Sequence, residues 1–166
     1  QREHAPAARD YQLTRSGGLG MQRLSGTWSG DNYTSWRTLR FNLPMGLGMS
    51  LSGWANNGHD VGGFSGPMPD AELLLRWVEA AVCQPRFCIH SWNDDSTTTE
   101  PWSHPEVLPQ IRHLIAFRDA LVPYLYTLMH DSVWDGTPMT RPFIYSFQDW
   151  RPGWGGSFAY MLRSEE

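Results

Sequence analysis

Strand-like and helix-like segments alternate along this chain, polar residues recur where the strand-like segments stop, and Gly-rich loops punctuate the order. Together these features predict an α/β fold made of repeated β/α units, four of which amount to half of an eight-stranded (β/α)8 barrel. Strands joined through helices must run parallel, with the helices outside. The ends of such strands face one pocket, so residues distant in sequence can meet there.

The elements follow in order. Residues 1–10 are polar and show no period, and Tyr11-Gln12-Leu13-Thr14 then reads as a short strand ending at Arg15-Ser16-Gly17-Gly18. Leu24-Ser25-Gly26-Thr27-Trp28 is a second strand, stopping at the Gly30-Asp31 turn. Thr34 or Ser35 can cap a helix patterned by Trp36, Leu39, Leu43, Leu47 and Leu51, which Pro44 should kink or restart. Residues 53–64 make a third strand and loop, with His59 and Asp60 just before Gly62-Gly63. Asp70 caps the next helix, Glu72 suits its dipole, and Leu74, Trp77, Val78, Ala81 and Val82 share one face until Pro85 stops it. Arg86-Phe87-Cys88-Ile89 is a fourth strand with His90 at its end and a polar loop, Asn93 to Thr99, beyond. Pro109 opens a long helix through Met129 that Pro123 should bend. After a turn at Asp135-Gly136, Met139 to Phe147 reads as a strand in a new environment, and residues 151–166 carry no clear pattern.

With 166 residues and 40% hydrophobic content the chain can bury an ordinary core. Nine Trp, seven Phe and six Tyr supply flat apolar faces that could stack on sugar rings, although most large aromatics serve cores. A net charge of −4 without a dense Lys/Arg cluster argues against nucleic acid as a partner. No apolar run reaches the roughly 18 residues of a membrane span, which favours a soluble, cytoplasmic setting with the compartment left open. Cys83 and Cys88 fit neither a redox nor a zinc pattern and read as two buried thiols.

The chemistry centres on Trp28-Ser29-Gly30-Asp31-Asn32, a carboxylate on a tight turn beside a tryptophan. Alone, Asp31 reads as a helix cap or turn residue. Arg15, Asp60 and His90 also fall at ends of expected strands, each from a different unit, and this convergence makes a site of them. Arg15 could instead be a structural ion-pair partner of Asp60, His90 a core histidine, and Trp77, Trp92, Trp102, Tyr124 and Tyr126 simple packing. A metal site from His59, Asp60, His90 and Asp94 lacks any paired-histidine spacing and is disfavoured.

Arg15-Ser16, Trp28-Ser29-Gly30-Asp31-Asn32 with Trp36, Gly58-His59-Asp60-Val61-Gly62-Gly63-Phe64-Ser65-Gly66, Glu72-Leu73 with Arg76-Trp77, His90 with Glu100-Pro101-Trp102, and Leu121-Val122-Pro123-Tyr124-Leu125-Tyr126 stand in unbroken order. The set resembles glycoside hydrolase family 31, the retaining α-glucosidases, α-xylosidases and relatives. The resemblance implies Asp31 as general acid/base, Arg15 beside the sugar, His90 on its hydroxyls, Trp28 and Phe64 lining the non-reducing sugar's subsite, and Asp60 ordering the arginine and the pocket floor. It implies no metal or cofactor and an α-linked oligosaccharide or glycoside as substrate, and it leaves oligomeric state open. A general acid at neutral pH needs a raised pKa, which walls of Trp28 and Phe64 and a second carboxylate would supply.

A retaining mechanism needs two carboxyls about 5–5.5 Å apart. The family's nucleophile motif, an Asp-Met-Asn-Glu-like run on an earlier strand, is absent, and Asp10 is no convincing substitute. The resemblance therefore implies that residues 1–138 are the C-terminal half of a catalytic (β/α)8 barrel. Residues 139–166, opening with Thr140-Arg141-Pro142, would be the start of a β-sandwich, and the isolated piece is expected to be inactive. Cys88 replaces an arginine common two residues before the histidine, which suggests a different substrate edge, and Phe64 argues against the sulfoquinovosidase branch. The rival class is a non-catalytic carbohydrate-binding protein.

Overall fold

A computed structural model describes Ala7, residues 11–154 and residues 158–162. Its elements are β1 (Leu13–Thr14), β2 (Gly26–Thr27), α1 (Trp36–Leu51), β3 (Gly58–Val61), α2 (Ala71–Ala81), β4 (Arg86–Ile89), α3 (Leu108–Asp135), β5 (Thr140–Arg141), α4 (Phe143–Ser146) and β6 (Met161–Leu162), with 3-10 turns at Met21–Arg23 and Arg151–Trp154. Asp10 lies outside the described residues, as do residues 155–157 and 163–166 of the unpatterned tail.

The first four strands lie side by side in chain order. β1 and β2 are parallel, with Leu13 opposite Gly26, and β3 and β4 are parallel, with Gly58 opposite Arg86 and Asp60 opposite Cys88. Between the pairs, the Thr27 amide donates to the Asn56 carbonyl at 2.9 Å and the Ser29 amide to the Gly58 carbonyl at 3.3 Å. Each helix follows the strand it covers, as the parallel β/α unit requires.

The packing follows the sequence periodicity most closely at α2. Asp70 accepts the Leu73 amide at 2.8 Å and so satisfies one of the helix's free N–H groups. Leu73, Leu74, Trp77, Val78 and Ala81 then form the buried face, packed with Leu39, Val61 and Ile111. Arg118 of α3 closes the other end by donating to the Val82, Gln84 and Pro85 carbonyls at 2.6, 2.7 and 2.9 Å. A second cluster, Leu125, Leu128 and Met139, joins the end of α3 to the chain leading into β5.

Several expectations are corrected. Helix α1 continues through Pro44 rather than restarting there, and α3 continues through Pro123; both prolines are exposed, so water can reach the carbonyl whose bond is lost. The strand expected over 139–147 ends at Arg141, and Phe143–Ser146 is a short helix whose start suits Pro142 at its N-cap position. β5 still pairs antiparallel with β6, Thr140 opposite Leu162. Trp77 is core, whereas Trp92 (72% exposed), Trp102 and Tyr126 stand on the surface and do not pack. Cys83 and Cys88 are free and only half-buried.

Leu74 has no exposed surface and lies in the main cluster. Leu74→Ala is expected to lower stability by about 2–5 kcal/mol, through lost transfer energy and the cavity left behind, measured as a fall in the urea midpoint.

Candidate active site

The four predicted residues come from four successive units. Arg15 follows β1, Asp31 follows β2, Asp60 lies in β3 and His90 follows β4. Arg15 Nη1 donates to Asp31 Oδ1 at 3.1 Å. Both side chains are more than half exposed, so the pair is worth at most about 1 kcal/mol and serves chiefly to set direction. Gly30 makes the approach possible: its φ is +81°, and a Cβ there would stand 2.8 Å from Arg15 Cδ.

The turn carrying Asp31 is stitched to the next unit on two sides. The Asn32 carbonyl accepts the Phe64 amide at 2.7 Å and the Ser65 amide at 3.0 Å, and the Thr34 amide donates to the Ser65 carbonyl at 2.8 Å. Gly63 is needed for this contact, since a Cβ on it would overlap Thr34. Beneath the turn, the Asn32 side-chain amide donates to Ser29 Oγ, which also lies 2.9 Å from His59 Nδ1. Ser35, rather than Thr34, caps α1 by accepting the Thr38 amide at 3.1 Å.

Asp60 does not pair with Arg15. It is buried, its side chain 1% exposed, and Arg86 Nη2 donates to its Oδ1 at 3.1 Å while Arg86 Nη1 reaches the His59 carbonyl at 3.2 Å. The Arg15–Asp60 pairing fails because both groups already have nearer partners, Asp31 and Arg86. Burial pushes the Asp60 carboxyl above the usual range; Arg86, and His90 more weakly, act against this, and the Asp31 charge adds to it. Asp31, Asp60 and His90 are thus electrostatically linked, and Arg15 joins them through Asp31.

Trp28 is half-buried, with the Arg86 guanidinium 5.7 Å from its ring centroid. Phe64 lies 5.2 Å from the His90 ring, tilted by 49°. His90 is exposed, so it is not a core histidine. The Asp31 side chain is 53% exposed, and the aromatic walls expected around it do not close over it. It borders an open groove of about 790 Å³ with Tyr33, Arg37 and Phe41, while its partner Arg15 borders a second, of about 630 Å³, with Trp28 and Trp54.

Sequence reasoning passed over Arg86, Ser29 and Asn32 as site residues, and treated His59 only as a weak metal candidate. Arg86 was detectable: it lies two and four residues before Cys88 and His90, and alternate strand residues share a face. Among the described residues no three His, Cys, Asp or Glu side chains gather as metal ligands. Of the four once considered, His59 bonds Ser29, Asp60 bonds Arg86, and Asp94 accepts the Gly66 amide at 3.1 Å. No helix among the described residues is long and apolar enough to cross a membrane.

Parallel β/α units that bring a carboxylate, an arginine, a histidine and aromatics together along consecutive strands have the architecture of a (β/α)8 barrel, whose sites gather at strand ends. The comparisons name the family. The model of the glycosyl hydrolases family 31 TIM-barrel domain matches residues 1–128, and the chain belongs to that family. It is 39% identical over 157 residues to neutral alpha-glucosidase C of Mus musculus, covering 94% of this chain and 17% of that protein. Among solved structures it resembles a Tris-bound glucosidase II alpha subunit (TM-score 0.86, 32% identity, 93% of this chain and 16% of that one). It also resembles the cycloalternan-degrading enzyme from Trueperella pyogenes in complex with isomaltose (TM-score 0.86, 30% identity, 93% and 23%). The chain therefore spans about one-sixth of the length of the curated relative, and its fold is that of the (β/α)8 barrel.

His59 is 2% exposed, and burial lowers its pKa to about 4; the Asn42 backbone carbonyl opposes the shift and the Arg86 charge adds to it. Between pH 6.5 and about pH 4 the unfolded chain binds the extra proton and the folded one does not, so stability must rise with pH there. The expected contribution, complete above pH 6.5 and lost on acidification through that window, is about 3 kcal/mol. Urea unfolding at pH 4, 5 and 7 should show a flatter pH dependence in His59→Asn than in the parent.

Proposed function

We propose that the chain is the acid/base-bearing part of a retaining α-glucosidase. The observation that carries the reading is the Asp31 turn: a carboxylate bonded to Arg15 of the preceding unit and anchored by backbone bonds to Phe64 and Ser65 of the next, within a chain of family 31. Asp31 would protonate the glycosidic oxygen as the bond to the aglycone breaks, then accept a proton from the water that releases the sugar. Its open setting on one groove, with its partner Arg15 on a second, supports this, because the group must meet both an aglycone and a water.

Arg15, besides directing Asp31, presents donors to the sugar. His90, exposed and backed by Phe64, can hydrogen-bond hydroxyls, and Trp28 offers a ring edge braced by Arg86. Asp60 acts from below: buried and bound to Arg86, it supports the floor and cannot swing out as a nucleophile. The nucleophilic aspartate is assigned to a part of the protein outside these 166 residues, in keeping with the 17% share of the mouse relative that the chain covers.

On the same reading residues 1–138 form the C-terminal half of the catalytic barrel and 139–166 open a β-rich domain. The side-by-side order of β1 to β4 supports the first part, and the antiparallel β5–β6 pair supports the second. The substrate is taken as an α-linked glucoside, since the mouse relative is named an alpha-glucosidase and one similar structure holds isomaltose.

The test uses the chain extended upstream to a whole barrel. Asp31→Asn should reduce turnover of α-glucosides with poor leaving groups by about 10²–10⁴-fold and still form a glycosyl-enzyme from an activated one. A mutant as active as the parent would leave Asp31 a helix-flanking turn residue, unchanged sugar affinity without turnover in either protein would favour a binding protein, and preference for α-xylosides would move the specificity. The purified 166-residue chain alone should turn over no aryl α-glucoside.

A further inference from the structure

We propose that His59, acting through the Ser29 hydroxyl, is the positioning residue that fixes the Asp31 turn. The inference rests on the reading of Asp31 as acid/base. Asp31 sits in a span bounded by Ser29 and Asn32, and these two side chains bond to each other beneath it. The span contains Gly30 in the left-handed region, a residue with little conformational preference of its own. Backbone bonds from Asn32 to Phe64 and Ser65 hold the far side of the span, and the clasp holds its side chains from below, attached to β3 at His59 Nδ1, 2.9 Å from Ser29 Oγ.

Ser29 Oγ accepts a hydrogen bond from the Asn32 amide and keeps both its own proton and a second lone pair, so it can bond Nδ1 in either tautomer of the neutral ring. The buried setting keeps the ring neutral. The ring itself cannot drift. His59 is in the middle of β3, paired to β4, and its Nε2 edge lies against α1, where a Cβ on Gly46 would stand 3.0 Å away. Since α1 begins only four residues beyond Asn32, the same histidine abuts the turn and the helix that leaves it.

A histidine that only fills space and a histidine that aims Asp31 differ in what their loss does to proton transfer. In the full-length protein that carries this chain, kcat/KM is measured for an alkyl α-glucoside, whose leaving group must be protonated, and for α-glucosyl fluoride, whose fluoride departs with little help. Ser29→Ala and His59→Ala should lower the first by about 10- to 100-fold and leave the second within about threefold, since a small misplacement of a proton donor costs that much. His59→Asn, which can offer its amide oxygen where Nδ1 stood, should recover most of the loss.

Equal losses on both substrates, or no loss on either with Ser29→Ala, overturn the proposal, and so does a His59→Asn no better than His59→Ala. Asp31→Asn measured alongside separates the two levels. If it divides the substrates and Ser29→Ala does not, only the clasp falls; if Asp31→Asn itself fails to divide them, the acid/base reading falls and takes the clasp with it.

Discussion

The Arg86 guanidinium is the node on which the strand ends depend. From β4 it bonds the Asp60 carboxylate and the His59 carbonyl of β3, and it lies over the Trp28 ring just after β2. One planar cation thus touches three successive units, which a lysine could not do with the same geometry. The pair with Asp60 is almost fully buried, and such pairs stabilise little beyond their own desolvation cost, but breaking one leaves a charge stranded in low dielectric. Its contribution is therefore to specify arrangement: β3 and β4 can slide in register only by stranding Asp60.

Above that node the structure divides its labour between rigid and adjustable parts. The floor is made of groups already bonded to one another, Asp60 with Arg86 and His59 with Ser29. The rim is made of exposed groups: Asp31 and Arg15, paired with each other, and His90, set against the Phe64 ring. A surface ion pair such as Arg15–Asp31 opens at little energetic cost. The buried pairs beneath are held more firmly, since breaking one leaves a polar or charged group away from water.

The glycines belong to the same division. Gly30 and Gly63 are each placed where a side chain would collide with the neighbouring unit, Arg15 in one case and Thr34 in the other. The inter-unit bonds at Asn32 and Ser65 can form only because backbone approaches backbone there. Close packing of consecutive loops, rather than strand length, holds these units together at the site: β1 and β2 contain only two residues each, and the loops carry the hydrogen bonds that longer strands would have made.

The sequence by itself determined the β/α order, the start and buried face of α2, the extent of β4 and the residues that stand at the strand ends, because periodicity, caps and turn residues are local signals. The ordered motifs around Asp31 and Asp60 were equally legible. Only the tertiary structure decided who pairs with whom: Arg15 with Asp31, Asp60 with Arg86, and Ser29 with His59. It also decided that α1 continues through Pro44 without a restart and that Phe143–Ser146 turns helical after β5. A partner is chosen by distance between elements 16 to 30 residues apart in the chain, and proline is tolerated according to which side meets water. Neither quantity is written in any local stretch of residues.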